Sequence, residues 1–308
     1  LAIPEIFSAQ QSSYALASFG KWHLGGNSTG PSTRGGWDYF KGIQVGGVTD
    51  YSNWTKLEVI NGEATKKEDY TTYTTTDQVN DAISWISSRG DNPWLCWMAF
   101  NAPHSPFHEP PDDLDPEGGY SAGTGNAGRY NRMLEALDTE IKRLLGAVDL
   151  DKTNIILLGD NGTPNQVVQA PFSSGHSKGE IYQGGVHVPM VISGPDISIA
   201  GGSVSGKLVN CVDLFSTILE LCGIKVSTAT SAVDHIDSKS LIPILQGTAD
   251  NADRCVVVEK FGDVSGNGRA LISDDHPDYK LIIFGDPEST ADTPTFQFYN
   301  ITNDPNEE

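Results

Sequence analysis

The stretch NIILLGDNGT, residues 154–163, joins an uninterrupted apolar run to a cluster of turn-forming residues. An apolar run with no polar residue inside it is typical of a strand covered on both faces, as in parallel sheets. Asp160, Asn161 and Gly162 are poor strand residues, so we expect a turn at the carboxyl end of this strand. Ligands bind at that edge of open α/β sheets, which makes Asp160 and Asn161 candidate oxygen ligands of a hard cation. An ordinary Asx-type turn would also account for the same residues.

Strand and helix patterns alternate over most of the chain. Helical spacing is visible in TTDQVNDAISWISS (75–88), YNRMLEALDTEIKRLLGA (130–147) and LVNCVDLFSTILELCGI (208–224), and strand patterns in PWLCWMAFN (93–101) and HVPMVISGP (187–195). The second helix is predicted to end at Gly146 and to place one apolar stripe on a single face: Met133, Leu134, Leu137, Ile141, Leu144 and Leu145. This alternation predicts an α/β fold with a large mixed, mostly parallel sheet sandwiched by helices.

The pattern changes after LIPILQG (241–247). Short strand patterns separated by Gly, Asp, Asn and Pro follow, with little helix between them: CVVVEKFG (255–262), RALISDD (269–275), YKLIIFG (279–285) and TFQFYNI (295–301). Such a series predicts a small antiparallel subdomain. We therefore expect a core domain over residues 1–250 and a C-terminal antiparallel subdomain over residues 251–308.

Composition limits the classes of partner. The chain has 308 residues, with 20 Lys and Arg against 40 Asp and Glu, for a formal charge of -20. This charge argues against a general binder of nucleic acid or of anionic membranes, since those need a basic face. The apolar runs are far shorter than the roughly 20 residues of a membrane span. The four cysteines have neither metal-site spacing nor the spacing of a disulfide framework.

Basic side chains occur in several loops and element ends. FGKWHLGG (19–26) contains Lys21 and His23, which would point the same way in an extended segment and could hold one anion together. His104 follows the strand pattern of residues 93–101, and Lys178 lies in the glycine-rich stretch SSGHSKGEIYQGG (173–185). Each residue taken alone is also consistent with a surface lysine or a turn histidine.

His104 and His108 have the i, i+4 spacing of a zinc-protease helix. Four prolines between residues 103 and 111 forbid a regular helix there, so the two imidazoles cannot stack on one helix face. A zinc protease is therefore excluded as an interpretation.

Four stretches together resemble the sulfatase family, a branch of the alkaline-phosphatase-like superfamily. They are GKWHLG (20–25), APHSP (102–106), LGDNG (158–162) and KGEIYQGGVHVPMV (178–191), in this order and at these separations. The resemblance implies a sulfuric ester hydrolase of the sulfatase or arylsulfatase type, which uses a formylglycine nucleophile beside a calcium ion. By the same resemblance Asp160 and Asn161 are two ligands of that Ca²⁺, with Mg²⁺ as another cation the site could take.

The resemblance also implies roles for the basic residues. Lys21 and His23 match the pair that orients the nucleophile and holds sulfate, and Lys178 matches the second sulfate-binding lysine. His104 matches the histidine that contacts the ester and can protonate the leaving oxygen. A transition state rich in negative charge needs fixed positive charge, which a metal and two lysines supply in an acidic protein. We therefore expect these four residues to surround one cleft with Asp160 on its floor.

The chain departs from the family pattern at several points. It has no Cys-or-Ser, x, Pro, x, Arg segment, and only twenty residues precede Lys21. The paired aspartates that the family places near its amino terminus are absent, Gln183 stands where Glu is usual, and His187 stands where Arg is usual. We expect a fragment whose missing N-terminal segment carries the formylglycine, so that this chain alone is inactive. A degenerate homologue is the alternative.

Two other functions stay open beside a sulfatase. One is a phosphoesterase or phosphonate hydrolase of the same superfamily, and the other is a non-catalytic sulfate-binding homologue. The resemblance implies a sulfated small molecule or sulfated carbohydrate as substrate, and a secreted, periplasmic or lysosome-like compartment. The oligomeric state is not determined by the sequence.

Overall fold

The computed structural model describes residues 2–115, 118–120, 122–224, 236–248, 254–262, 267–285 and 293–308. These residues form two compact units. The first holds residues 2–150, and the second holds residues 151–223 together with the described residues from 236 onward.

The first unit is an α/β unit around one mixed sheet. Its elements are α1 (Ile3–Ala9), β1 (Ala15–Lys21), α2 (Gly30–Gly35), β2 (Tyr39–Ile43), β3 (Trp54–Ile60), β4 (Glu63–Tyr70), α3 (Thr74–Ser87), β5 (Trp94–Ala99) and α4 (Gly125–Leu145). The strand order is β4-β3-β2-β1-β5. Strand β1 pairs in parallel with β2 and β5, whereas β3 pairs antiparallel with both β2 and β4. The carboxyl ends of β1, β2 and β5 therefore lie along the same edge of the sheet.

One hydrophobic cluster of this unit lies between the sheet and α3. Ala17 and Phe19 of β1 are fully buried and pack against Ala82, Trp85 and Ile86 of α3. The i, i+3, i+4 spacing of these three helix residues puts them on one face. Burial of this face anchors the strand whose carboxyl end carries the predicted site residues.

Helix α4 confirms one predicted feature and corrects another. It ends at Leu145 and is capped by Gly146, as predicted. Met133 is completely buried, but the side chain of Leu134 is 40% exposed, so the prediction that both share one buried stripe is wrong. Consecutive helix residues are about 100° apart, and a face that centres on Met133 turns Leu134 toward solvent.

A buried charge network joins the sheet to α3. Lys56 of β3 is 2% exposed, and its Nζ lies 2.6 Å from Asp77 Oδ2 and 2.5 Å from Asp81 Oδ2. Burial opposes the charge of Lys56, but its bonds to the two carboxylates hold its pKa above the ordinary value. Burial also raises the pKa of the Asp77 carboxyl in spite of Lys56. These contacts fix β3 against α3 by a paired charge rather than by apolar packing.

The second unit contains two antiparallel sheets. Its elements are β6 (Ile155–Leu158), α5 (Gln183–Val186), β7 (Met190–Ser193), α6 (Asp213–Leu221), α7 (Ile242–Leu245), β8 (Cys255–Lys260), β9 (Gly268–Ser273), β10 (His276–Phe284) and β11 (Thr295–Asn300). Strands β6 and β7 form a two-stranded sheet, and the last four strands form a sheet of order β11-β10-β9-β8. The latter confirms the predicted C-terminal antiparallel strands. The predicted domain boundary after residue 250 lies outside the described residues and stays a prediction.

Strand β6 is the apolar part of residues 154–163, and its pairing differs from the prediction. It pairs antiparallel with β7, from Ile155 opposite Ser193 to Leu158 opposite Met190. Leu157 is 47% exposed, so the expectation of a parallel strand covered on both faces is wrong for the described residues. An apolar run reports a tendency to be buried, but it carries no information on the direction of the neighbouring strand.

The remaining sequence features are accounted for in the fold. Helix α6 begins at Asp213, so Cys211 precedes it rather than lying within it. No disulfide joins any of the described cysteines. Burial raises the pKa of the Cys96 thiol in β5 to about 12. Among the described helices, none has the length and apolarity to cross a membrane.

Candidate active-site elements

The carboxyl edge of the three parallel strands is formed by a close approach of backbones. Gly20 of β1 has φ +101°, and a Cβ added there would collide with the carbonyl group of Ala99 in β5. A Cβ at Gly42 of β2 would collide with the carbonyl of Gly20. Only glycine fits where strands approach in this way. The close approach brings the ends of β1, β2 and β5 together just before Lys21, Ile43 and the loop after Ala99.

His23 lies just beyond the end of β1. The backbone N–H groups of Trp22 and His23 donate to the carbonyls of Ile43 (2.9 Å) and Gln44 (3.2 Å), so the parallel pairing continues past Lys21. His23 itself has φ +48°, in the left-handed region. The extended segment assumed for Lys21 and His23 therefore ends before His23, and strand alternation does not determine where the two side chains point.

The loop after β5 positions His104. Its backbone N–H donates to the Asn101 carbonyl (2.9 Å), and its Nδ1 lies 2.8 Å from the Ser105 carbonyl oxygen. A carbonyl oxygen can only accept, so Nδ1 carries the proton of that bond. In the neutral ring Nε2 is therefore the nitrogen with the lone pair.

The Tyr51 hydroxyl binds backbone carbonyls of this loop. Its hydroxyl lies 2.8 Å from the Asn101 carbonyl oxygen and 2.7 Å from that of His104. The side chain is buried, and burial raises the pKa of Tyr51 above its ordinary value. The hydroxyl therefore keeps its proton and remains a donor to the loop at physiological pH.

His23 and His104 each lie against one of two adjacent glycines. A Cβ added at Gly46 would lie 2.6 Å from Cε1 of His23, and one added at Gly47 would lie 3.0 Å from Nδ1 of His104. Both imidazoles thus lie against neighbouring peptide units, near the end of β1 that carries Lys21. Whether they join Lys178 and Asp160 in one cleft stays a prediction, since those two residues belong to the second unit.

His108 has a structural environment. Its Nδ1 lies 2.8 Å from the Pro106 carbonyl oxygen, so Nε2 accepts from the Tyr73 hydroxyl at 3.0 Å. Its ring also packs on Tyr51, with ring centres 4.4 Å apart. Both ring nitrogens are engaged within the protein. This agrees with the exclusion of a zinc site at His104 and His108.

In the second unit, Asp160 and Asn161 lie in the turn after β6, as predicted. The N–H groups on either side of them are bound: Gly159 donates to Pro189 and Gly162 donates to Gly185, each at 2.9 Å. Asp160 and Asn161 are both exposed. The side-chain nitrogen of Asn161 donates to the Gly162 carbonyl (3.1 Å), which leaves its oxygen as the atom for a cation.

Lys178 lies beside this turn. Its backbone N–H donates to the Thr163 carbonyl (3.0 Å). A Cβ on Gly162 would collide with the Gly184 carbonyl, and a Cβ on Gly185 would collide with the Glu180 carbonyl. The turn after β6, the loop with Lys178 and α5 therefore pack backbone against backbone. The pair Gly184–Gly185 and the turn residues 160–162 could be recognised in the sequence. Nothing in the sequence showed that these two segments lie close together.

The C-terminal end contributes residues that sequence reasoning missed. Glu307 is fully buried and accepts the backbone N–H of Gln183 through Oε2, while its Oε1 lies 2.7 Å from Lys280 Nζ. Burial lowers the pKa of Lys280 in spite of Glu307. A lysine in the middle of a predicted strand and a glutamate next to the last residue gave no sequence signal of a buried pair.

The two candidate cation ligands fit part of a calcium site. Asp160 offers a carboxylate and Asn161 an amide oxygen, both of the donor type that Ca²⁺ prefers. A calcium ion needs six to eight such oxygens. The described residues contain no group of three or more His, Cys, Asp and Glu side chains that could hold a metal. Among the described residues, Asp160 and Asn161 could therefore supply some of the donor atoms of such a site but not a complete shell.

Comparison with known proteins identifies the family. The family model for sulfatases matches residues 2–224. The uncharacterized sulfatase YdeN of Escherichia coli (strain K12) is 28% identical over 279 residues, which cover 79% of this chain and 46% of YdeN. Human (Homo sapiens) N-acetylgalactosamine-6-sulfatase is 25% identical over 277 residues, covering 80% of this chain and 48% of the enzyme. The chain spans about half the length of these relatives.

Solved structures show the same fold. Ps i-CgsB, crystallised with k-i-k-neocarrahexaose, has a TM-score of 0.76 at 22% identity, covering 99% of this chain and 68% of that one. The PsFucS1 sulfatase from Pseudoalteromonas sp. has a TM-score of 0.72 at 19% identity, covering 100% of this chain and 68% of that one. The family match extends over more than two thirds of the sequence and includes every predicted site residue. The chain belongs to the sulfatase family.

Proposed function

We propose that this chain is part of a sulfuric ester hydrolase that cleaves sulfate monoesters. The observation that carries the proposal is the placement of His23 and His104 on the adjacent residues Gly46 and Gly47. Two histidines from separate loops thus lie against neighbouring peptide units, near the end of β1 that carries Lys21. The family match supports sulfatase chemistry for the chain.

His104 is suited to act on the leaving group. The bond between its Nδ1 and the Ser105 carbonyl fixes the orientation of the ring and leaves Nε2 for the substrate. When protonated, the ring can donate the Nε2 proton to the ester oxygen as the S–O bond breaks. The Tyr51 hydroxyl beneath the loop limits movement of the ring during this step.

Lys21, His23 and Lys178 are proposed to bind the sulfate group. A lysine ammonium carries a compact positive charge, which stabilises the negative charge that builds up on the sulfate oxygens. Asp160 and Asn161 are proposed as two ligands of Ca²⁺, with Mg²⁺ as the alternative cation. When bound, that cation would polarise the sulfur–oxygen bonds and neutralise part of the charge on the sulfate.

The nucleophile is proposed to lie outside residues 1–308. The sequence contains no Cys-or-Ser, x, Pro, x, Arg segment, and the chain spans about half the length of its curated relatives. A formylglycine in additional chain, with the further acidic ligands that calcium needs, would complete the site. Without that nucleophile no covalent sulfate intermediate can form on this chain.

A sulfated carbohydrate is the proposed substrate. One relative is named N-acetylgalactosamine-6-sulfatase, and a structural neighbour was crystallised with a neocarrahexaose. Both names support a sugar ester rather than an aryl sulfate as the natural substrate. A secreted, periplasmic or lysosome-like location remains an expectation from the family.

The proposal is tested by comparing two proteins. One is this chain, and the other is a version extended upstream to include the nucleophile and co-expressed with a formylglycine-generating enzyme. We expect hydrolysis of a generic aryl sulfate by the extended version only, with loss of activity in Lys178→Ala. Faster hydrolysis of an aryl phosphate or phosphonate would favour a phosphoesterase, and sulfate binding without turnover would favour a non-catalytic homologue. Activity of the short chain that Lys178→Ala abolishes would overturn the assignment of the nucleophile.

A further inference from the structure

We propose that the C-terminal turn formed by Asn306 and Glu307 is a positioning element for the loops that carry Lys178 and Asp160. The inference rests on the proposed function, since it concerns the residues assigned there to sulfate and calcium. Every contact that supports it lies within the second unit.

Glu307 reaches the loop through the first residue of α5. Its Oε2 accepts the backbone N–H of Gln183, and its Oε1 pairs with Lys280 of β10 at 2.7 Å. Glu307 is 0% exposed and Lys280 is 1% exposed. Glu307 also has φ +61°, a conformation that costs free energy in a residue other than glycine. A buried, paired and conformationally unfavourable residue is held there by specific contacts.

Asn306 provides a second contact. Its carbonyl oxygen lies 3.2 Å from Nδ1 of His176, which must donate that hydrogen bond. The ring of His176 stacks on Tyr182, with ring centres 3.7 Å apart and planes inclined by 16°. His176 and Gln183 lie on either side of Lys178 in sequence. The turn therefore holds the Lys178 loop at both of its ends.

The contacts continue from α5 to the turn after β6. Gly185 of α5 accepts the N–H of Gly162 (2.9 Å), and a Cβ on Gly162 would collide with Gly184. Glycine backbones in this contact leave no space for side-chain rearrangement. A shift of α5 must therefore move Gly162, and with it the adjacent Asp160 and Asn161.

Two matched double variants separate the effect of the Lys280–Glu307 charge pair from that of the hydrogen bond between Glu307 and the Gln183 N–H. Replacing Glu307 alone would leave Lys280 buried without its carboxylate, which is destabilising in itself. Lys280→Met combined with Glu307→Gln removes both charges and keeps an acceptor for the Gln183 N–H. Lys280→Met combined with Glu307→Ala removes both charges and that acceptor. The two variants differ in the contact that the proposal assigns to positioning and in side-chain volume at residue 307, and the exchange rate of Ile282 reports any general loosening caused by the smaller side chain.

Hydrogen exchange of the chain, followed residue by residue by NMR, is the first measurement. In the Met/Ala variant we expect the amides of Gly162 and Lys178 to exchange about tenfold faster than in the Met/Gln variant. The amide of Ile282, in the middle of β10, should exchange at the same rate in both. Glu308→Gln is the control, because Glu308 is exposed and its hydrogen bonds to Asp304 are made by its backbone N–H. Equal exchange at Gly162 and Lys178 in the two double variants would overturn the proposal.

Titration with Ca²⁺ alone separates this proposal from the proposed function. We expect the Met/Ala variant to bind the cation several-fold more weakly than the Met/Gln variant, with Asp160→Asn as the reference for loss of a ligand. Equal affinity in the two double variants, with weakening by Asp160→Asn, would remove the positioning role and leave the metal assignment. If wild-type affinity is the same as that of Asp160→Asn, the metal assignment fails, and the exchange rates decide the positioning role.

Discussion

Gly46→Ala tests whether the backbone beneath His23 sets the position of that imidazole. A Cβ on Gly46 would lie 2.6 Å from Cε1 of His23 and 2.8 Å from both ring nitrogens. Carbon–carbon contacts are favourable only from about 3.5 Å, so the ring must move by about 1 Å. Gly46 lies outside the left-handed region, so alanine causes no backbone strain there. The substitution therefore displaces one side chain and leaves the fold intact.

The expected effect is large on catalysis and small on stability. A misplacement of 1 Å in a catalytic site can cost about a hundredfold in rate. We expect kcat/KM of the extended version on an aryl sulfate to fall by about that factor, with a thermal midpoint like that of the parent protein. His23 is exposed, so the displaced ring moves into solvent without leaving a core cavity.

Alanine substitutions at two other glycines provide comparisons for this result. Gly47→Ala meets His104 Nδ1 at 3.0 Å, so we expect a smaller loss in kcat/KM. Gly201→Ala meets no atom within 4 Å and should change neither activity nor the thermal midpoint. Wild-type kcat/KM in Gly46→Ala would refute the reasoning about His23. A loss of activity accompanied by a large drop in the thermal midpoint would show that Gly46 is needed for folding instead.

Three further predictions concern charge. Lys56→Met leaves the buried Asp77 carboxylate without its lysine, while the half-buried Asp81 keeps Lys41, and should lower the free energy of unfolding by about 3–5 kcal/mol in urea. Lys67→Met, on a side chain that is 46% exposed, should cost less than about 1 kcal/mol. Burial raises the pKa of Tyr51 and Tyr73, so the folded protein retains protons that unfolded tyrosines lose above about pH 10. The contribution of these two tyrosines to stability should therefore be constant below that pH and fall above it by about 1.4 kcal/mol per pH unit for each buried tyrosine. Urea titrations at pH 9 and pH 11 should show a smaller fall in Tyr51→Phe. In the extended version, Asp160→Asn should lower kcat/KM more at low than at saturating Ca²⁺, and an equal loss at all concentrations would argue against a ligand role.

The sequence was a good guide where local patterns determine structure. Helical spacing located α3 and α4, the glycine end signal placed the end of α4 at Gly146, and the turn residues after β6 were correctly placed. These features depend on periodicity and on the conformational preference of single residues. The direction of β6 was wrong because strand pairing is a contact between distant segments. The exposure of Leu134 shows the same limit, since the centre of a buried face depends on what packs against it.

The site was predicted in part for the same reason. The positions of Lys21, His104 and Lys178 at strand ends or in glycine-rich loops could be read from the sequence, because glycine and proline mark such places. The contacts of His104 with Tyr51 and the burial of Glu307 could not, since both join segments far apart in the chain. A tyrosine in a polar stretch and a glutamate near the chain end look like surface residues until their partners are known.

Both units contain close backbone contacts between glycines and other residues near their candidate site residues. In each, glycines allow backbones to approach so closely that a side chain could not fit: Gly20 against Ala99 in the first unit, and Gly162 against Gly184 in the second. Close backbone contact fixes the positions of the flanking residues without long side chains, which would occupy the space a substrate needs. It also makes each position intolerant of any Cβ. The residues that position Lys21 and Asp160 are therefore expected to be as sensitive to substitution as the residues that contact the substrate, and alanine at Gly162 should impair calcium binding as strongly as Asp160→Asn.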